Sequence, residues 1–370
     1  MGALRPVLNY MKSHLLPVLA LAAGLSACAA PPSEEAPPSN PGVTSEMLKP
    51  LTDAYREYVA ALILLDSPAP RDRSDGLLKL QASPYAYFPD DRALITKAGQ
   101  GDETARKELG RRGKMLDALF AFWGGVDLPK WNDARKRLVA LGQDARIILV
   151  NTLMRMLLNG QLRTQWSQIR FQLVAVGDDA FETAVALYRA KADQTPETII
   201  YKKDDLVQVA LVMLGFGERA RPIIEESAKS PRFNVRRSVA VALGEGRAAE
   251  HLELLTTLLQ KDPAWMVRAD AADAMGMMRA ARAKAGGALV EALKTERDRQ
   301  VRPHVASALG ELVFEDAVPT LVASLEIADY GYVETAMFAL CKITGERYLN
   351  ADEWRKWFNS DYAKWRAKLR

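Results

Sequence analysis

A ten-residue pattern, Val-Arg-x-x-x-Ala-x-Ala-Leu/Met-Gly, stands three times in this chain. The copies run Val235-Arg236 to Leu243-Gly244, Val267-Arg268 to Met275-Gly276, and Val301-Arg302 to Leu309-Gly310. They begin at residues 235, 267 and 301, so the period is 32 and then 34 residues. A unit this short cannot bury its apolar face alone, and copies must stack to share a core. Such a stack offers a long surface to other molecules.

Each copy reads as a helical hairpin. Val267, Ala271, Ala274 and Met275 form one apolar stripe at helical spacing. The small alanines let one first helix lie close to the next. Gly244, Gly276 and Gly310 are expected to end their helices in the left-handed conformation. Second helices follow at Leu252 to Leu259, Ala288 to Leu293 and Val318 to Leu325. A weaker form of the pattern leads up to Gly142, Gly177 and Gly215, and a last form runs from Val333 to Gly345. About seven hairpins are therefore expected between Trp131 and Gly345. Ala, Leu, Arg and Glu dominate and alternating β-branched runs are few, which is an all-α composition.

These hairpins resemble the HEAT-repeat family, in its short phycobilisome-lyase-type form, strongly over 233–345 and moderately over 131–232. The resemblance implies a right-handed α-solenoid whose concave face binds other proteins. It implies no particular function, because such repeats serve scaffolds, adaptors and a few lyases.

Residues 45–130 lie outside the pattern and read as a helical N-terminal cap. Helices are expected over Met47–Leu65 and Thr104–Trp123, with an aromatic, proline-bounded loop from Ser83 to Asp91 between them. At the other end, residues 346–370 read as an aromatic capping helix. Trp354, Trp357, Phe358, Tyr362 and Trp365 share one helical arc there. That arc suits cover for the last repeat or, alternatively, docking to a partner or membrane surface.

Residues 1–27 have the order of an export signal: Arg5 and Lys12, an apolar run from Leu15 to Leu25, then small residues. Met11 offers an alternative start. Leu25-Ser26-Ala27-Cys28 resembles the lipobox of bacterial lipoproteins. The resemblance implies acylation of Cys28 and, with Ala29 rather than Asp after it, an outer-membrane anchor facing the periplasm. Residues 28–44 follow as a Pro-rich, extended tether. Removal of Arg5 and Lys12 takes the basic count from 50 to 48 against 46 acids. Near-neutrality makes no case for nucleic acid.

Candidate chemistry is sparse. His251 and His304, placed in a second and a first helix, have no metal-ligand partners nearby. Cys341 is expected at the position of Leu243 and Leu309, as a small core residue. Gly110-Arg111-Arg112-Gly113-Lys114 lacks the spacing of a phosphate-binding loop. The repeated charge is Arg236, Arg268 and Arg302, thickened by Arg237 and Arg232 and broken by Glu334. Either each arginine pairs with an acid of the neighbouring hairpin, such as Asp262 or Asp298, or the set forms a cationic stripe for an acidic partner. The expectation is a non-catalytic, lipid-anchored scaffold without cofactor or metal, binding another envelope protein. A lyase-like enzyme, a ligand-binding protein and a component of an envelope assembly machine are the alternatives.

Overall fold

The computed structural model describes residues 45–83, 85–122, 127–158, 164–194, 205–326 and 329–369. The export signal, Cys28 and the tether lie outside the described residues, as do Pro84 and Trp123. All regular structure among the described residues is helical. The chain divides into two compact units between Leu149 and Val150.

The first unit contains α1 (Ser45–Leu64), α2 (Pro70–Ala82), α3 (Asp91–Gly99), α4 (Glu103–Phe120) and α5 (Leu128–Ala140), and ends within α6 (Gln143–Leu158). The sequence suggests α1 and α4 with a loop between, and α5 and α6 as the first hairpin of the array, but neither α2 nor α3. α2 escapes a periodicity search because Gly76 and Leu80 alone face the core, leaving almost no apolar stripe. Pro70 starts it and Asp102 caps α4, accepting from the Thr104 and Ala105 amides at 2.9 and 3.0 Å. Glycines bring these helices together. A Cβ on Gly113 would stand 2.8 Å from the Ile63 nitrogen, and one on Gly76 would stand 2.7 Å from the Ala61 oxygen. The Gly-Arg-Arg-Gly-Lys run is therefore a helix-packing surface of α4 against α1.

One buried carboxylate organises the aromatic loop. Asp91 is fully buried. It accepts from Tyr58 Oη at 2.7 Å, from the Tyr87 and Phe88 amides at 2.8 Å each, and from Arg112 at 2.7 Å. Arg112 also reaches Asp90 and Glu108 and lies over the Phe88 ring.

The second unit is a stack of hairpins. First helices are α7 (Trp166–Val176), α9 (Asp205–Leu214), α11 (Phe233–Glu245), α13 (Trp265–Gly276), α15 (Arg302–Leu312) and α17 (Tyr330–Thr344). Their second helices are α8 (Asp178–Gln194), α10 (Arg221–Ser227), α12 (Leu252–Lys261), α14 (Arg282–Thr295), α16 (Val318–Ser324) and α18 (Ala351–Ser360), and α19 (Tyr362–Ala367) follows. First helices pack on first helices far more closely than second on second. Closer spacing on one side bends a stack toward it, so the first helices line the inner face.

The glycines of the repeat make that spacing possible, and here the sequence expectation needs correcting. Gly244, Gly276 and Gly310 sit inside or at the last turn of their helices, and none has positive φ. Each instead faces an alanine of the next first helix. An added Cβ would lie 2.7 Å from Ala274 Cα, 2.9 Å from Ala308 Cα and 3.0 Å from Ala339 Cα respectively. The left-handed role belongs to other glycines, such as Gly345 at φ +78° closing α17.

The Gly310–Ala339 contact also resets the last repeat. Ala339 answers to Ala308, so Leu340, fully buried, takes the place of Leu309, and Cys341 takes the place of the glycine. Tyr332 likewise replaces the motif valine, and Val333 rather than Glu334 stands where the arginine would be. No further first helix of a repeat packs on α17 among the described residues, and the half-buried Cys341 instead meets the Tyr348 backbone, which hydrogen-bonds to its sulfur.

α18 serves as the second helix of this last hairpin. Trp354 and Trp357 are buried, and Trp365 donates its indole N–H to the Thr344 carbonyl at 3.1 Å. The arc breaks at Asp361 between α18 and α19, and its rings stack on one another, Phe358 to Tyr362 at 4.6 Å and Tyr362 to Trp365 at 5.8 Å. The aromatic residues thus turn toward the last repeat.

Candidate interaction groove

The motif arginines act as clamps between hairpins. Arg236 donates through Nη1 to the Ser230 carbonyl, six residues back, and binds both carboxylate oxygens of Asp262 at 2.6 and 2.8 Å. Asp262 precedes the next first helix. Arg268 repeats the device, donating to the Asp262 carbonyl and to Glu296 and Asp298. Its proximity holds Glu296 below the usual carboxylate range against an opposing desolvation. Arg302 donates to the Glu296 carbonyl, and its guanidinium lies 4.6 Å from the centre of the Tyr332 ring. Arg237 binds Asp270 at 2.6 Å. Arg236, Arg237, Arg268 and Arg302 therefore place their charges within the stack, and they do not form a stripe of unmatched positive charge.

Two further pairs cross the inner face. Asp273 of α13 contacts His304 of α15 at 3.0 Å, and Glu311 of α15 accepts from Lys342 of α17 at 2.5 Å. Between them runs a groove of about 900 Å³ whose wall includes Gly244 and Arg247 at one end, Met277 and Arg279 in the middle, and Ser307 and Thr335 at the other. It crosses α11, α13, α15 and α17. The small residues that allow close helix packing also make its floor shallow and open. Met277 leaves apolar surface exposed along it, and one turn beyond Thr335 stands the exposed Phe338, with Lys342 over its ring.

The remaining candidates are quieter. His251 lies in a short 3-10 turn before α12 rather than in a second helix, and burial holds its pKa below the ordinary histidine value. Burial pushes the half-buried Cys341 thiol up, away from thiolate. Among the described residues no cluster of His, Cys, Asp and Glu is placed to hold a metal ion, and no helix is long and apolar enough to cross a membrane. Sequence reasoning missed the groove residues Arg247, Asp273 and Arg279. Their signal was present, since Arg247 and Arg279 each stand three residues after a motif glycine.

The fold defines a class: an all-helical solenoid of stacked HEAT-like hairpins. In agreement, the family described as HEAT repeats matches residues 220–302, from the residue before α10 to the first residue of α15. Among solved structures, a crystal structure of a Kap121p mutant is similar at 13% identity with a TM-score of 0.43, over 84% of this chain and 39% of that one. The chain thus spans well under half the length of that protein. No curated protein matches the sequence.

Proposed function

We propose that this protein is a non-catalytic scaffold, anchored by lipid at Cys28 in a bacterial envelope and facing the periplasm, whose inner groove binds another envelope protein. The observation that carries the binding half is the groove itself: an open surface across four first helices, held rigid by inter-hairpin clamps, with polar and apolar groups side by side. A rigid surface loses little entropy on binding, and proportions of this kind suit a protein partner. Arg236, Arg237, Arg268 and Arg302 contribute by fixing hairpin stacking. The anchoring half rests on the order of residues 1–28 and on the Pro-rich stretch after them, which at about 3.1 Å per residue would hold the body tens of ångströms from lipid.

The test is photocrosslinking in the intact envelope. A benzoylphenylalanine in place of Ser307 or Thr335 should capture one protein in stoichiometric yield, whereas the same probe in place of Lys284 on the second-helix side should not. Equal capture from both faces, or none from the groove, refutes the binding half. Mass spectrometry of the mature N-terminus tests the anchor, and an unacylated residue there refutes it.

A further inference from the structure

The charges along the groove are unequally matched. Asp273 is in hydrogen-bonding contact with His304, Glu311 pairs with Lys342, and Glu245 acts electrostatically on Arg170. Arg247 and Arg279 are exposed and make no ion pair among the described residues. They hold the same position in successive hairpins. In the third hairpin that position is Val313, 41% exposed, and beyond it on α17 stands Phe338, 62% exposed. The groove therefore carries one unmatched cation in each of two repeats, and past its far end stands the exposed Phe338, with the Lys342 ammonium 4.9 Å from the centre of its ring.

We propose that the groove receives an extended acidic peptide segment of the partner, with carboxylates three residues apart on Arg247 and Arg279 and a large apolar side chain on Phe338. This deepens the partner-binding reading and rests on it. The spacing follows from elementary geometry. Packed helices lie about 8–10 Å apart, and an extended chain advances about 3.3 Å per residue, so three residues span one hairpin. Six more then reach from Arg279 to Phe338, two hairpins on. An extended segment exposes backbone groups that the hydroxyls of Ser307 and Thr335 can meet by hydrogen bonding.

The test measures fluorescence anisotropy on the full chain with labelled dodecapeptides in a Gly/Ser background. One carries two Glu three residues apart and a Leu six residues after the second. It should bind at low ionic strength and weaken as salt rises. Making the two Glu adjacent should weaken it about two- to fivefold, the range expected for loss of one exposed charge pair. Arg247→Glu with Arg279→Glu should do the same, while restoring affinity for the peptide with Lys in place of Glu. Both positions are exposed, and an unchanged thermal melt shows that the variant folds. Indifference to Glu spacing, unchanged binding by the charge-reversed protein, or preference for an Ala-rich helical peptide with Glu seven apart overturns the proposal. So does binding to phosphatidylglycerol vesicles that the acidic peptide fails to displace. The two readings fail separately. If Ser307 still captures its partner in the charge-reversed protein at full yield, the acidic-segment proposal is wrong and the scaffold stands. If the groove captures nothing, the scaffold reading itself is wrong.

Discussion

Residues 55–122 and residues 233–345 both bury ionic groups in an all-helical frame, and they do so in opposite ways. In the first, four donors from three places in the sequence converge on Asp91 alone. In the second, three successive hairpins each carry their own arginine, and Arg236 and Arg268 reach only their own preceding turn and the turn before the next first helix. A hub concentrates risk; a ladder distributes it. Asp91→Ala should therefore give the largest single effect, because it strands Tyr58, two amides and the largely buried Arg112. Breaking a buried pair of this kind costs about 3–5 kcal/mol, and denaturant unfolding should show it as early loss of the first unit. A melt like that of the parent protein would mean that the hub is ornamental. Removing one rung should loosen two neighbouring hairpins and leave the others protected, since repeats couple to their nearest neighbours.

The second prediction tests what the repeat glycines are for. Gly276→Ala places a Cβ 2.9 Å from a backbone carbon of Ala308, and neither helix can yield without moving its partners. Overpacking of this sort costs about 1–3 kcal/mol. Gly287, in the second helix α14, has nothing within 4 Å of an added Cβ. Gly287→Ala should stabilise by about 0.5–1 kcal/mol through helix propensity. Opposite signs from the same substitution, read by thermal or denaturant melts, separate close packing from backbone freedom. Equal signs would return the repeat glycines to a capping role.

That contrast shows what the sequence made legible. Periodicity exposed the hairpins, their order and the class of fold, because Val267, Ala271, Ala274 and Met275 mark a face at helical spacing. It could not show which contact a glycine serves, since Gly276 and Gly345 look alike until a neighbour's backbone is in place. The arginine positions were equally plain, but whether Arg236 meets Asp262 or a partner depends on how a turn 26 residues away is oriented. Asp91 left no trace, because its donors come from positions with no common period. The groove was half legible. Arg247 and Arg279 recur at the repeat spacing, yet their being unmatched emerges only once Arg236, Arg237 and Arg268 are seen to be engaged.

A smaller effect is expected where the repeat departs from easy backbone geometry. Val313 ends α15 at φ +52° and ψ +50°, a left-handed conformation that a β-branched residue adopts at a cost of about 1–2 kcal/mol. Arg282 of the preceding hairpin holds the turn, donating to the Leu312 carbonyl at 2.9 Å and to the Val313 carbonyl. Val313→Gly should relieve that strain, offset in part by the greater entropy of an unfolded glycine. A net gain of at most about 1 kcal/mol is expected. A loss of stability would show that the exposed isopropyl group makes a contact worth more than the strain.

The gentlest distinction between the two modes of burial is electrostatic. His251 is buried, and desolvation lowers its pKa, with Arg221 adding to the shift and Glu250, Glu225 and Glu218 opposing it. A histidine held neutral in the fold takes up its proton more readily once unfolded. Its contribution is therefore fully present above the ordinary histidine range and declines as pH falls through about 6.5, the unfolded value. Melts of the parent protein between pH 8 and pH 5 should show this decline, and His251→Gln should remove it while leaving the carboxylate-dependent loss at lower pH. Glu296 supplies that later loss with the opposite mechanism, because its depressed pKa gives stability at neutral pH that disappears as acid protonates it. If His251→Gln melts with the same pH profile as the parent, the decline arises elsewhere, and the histidine is a packing residue whose charge the stack does not register.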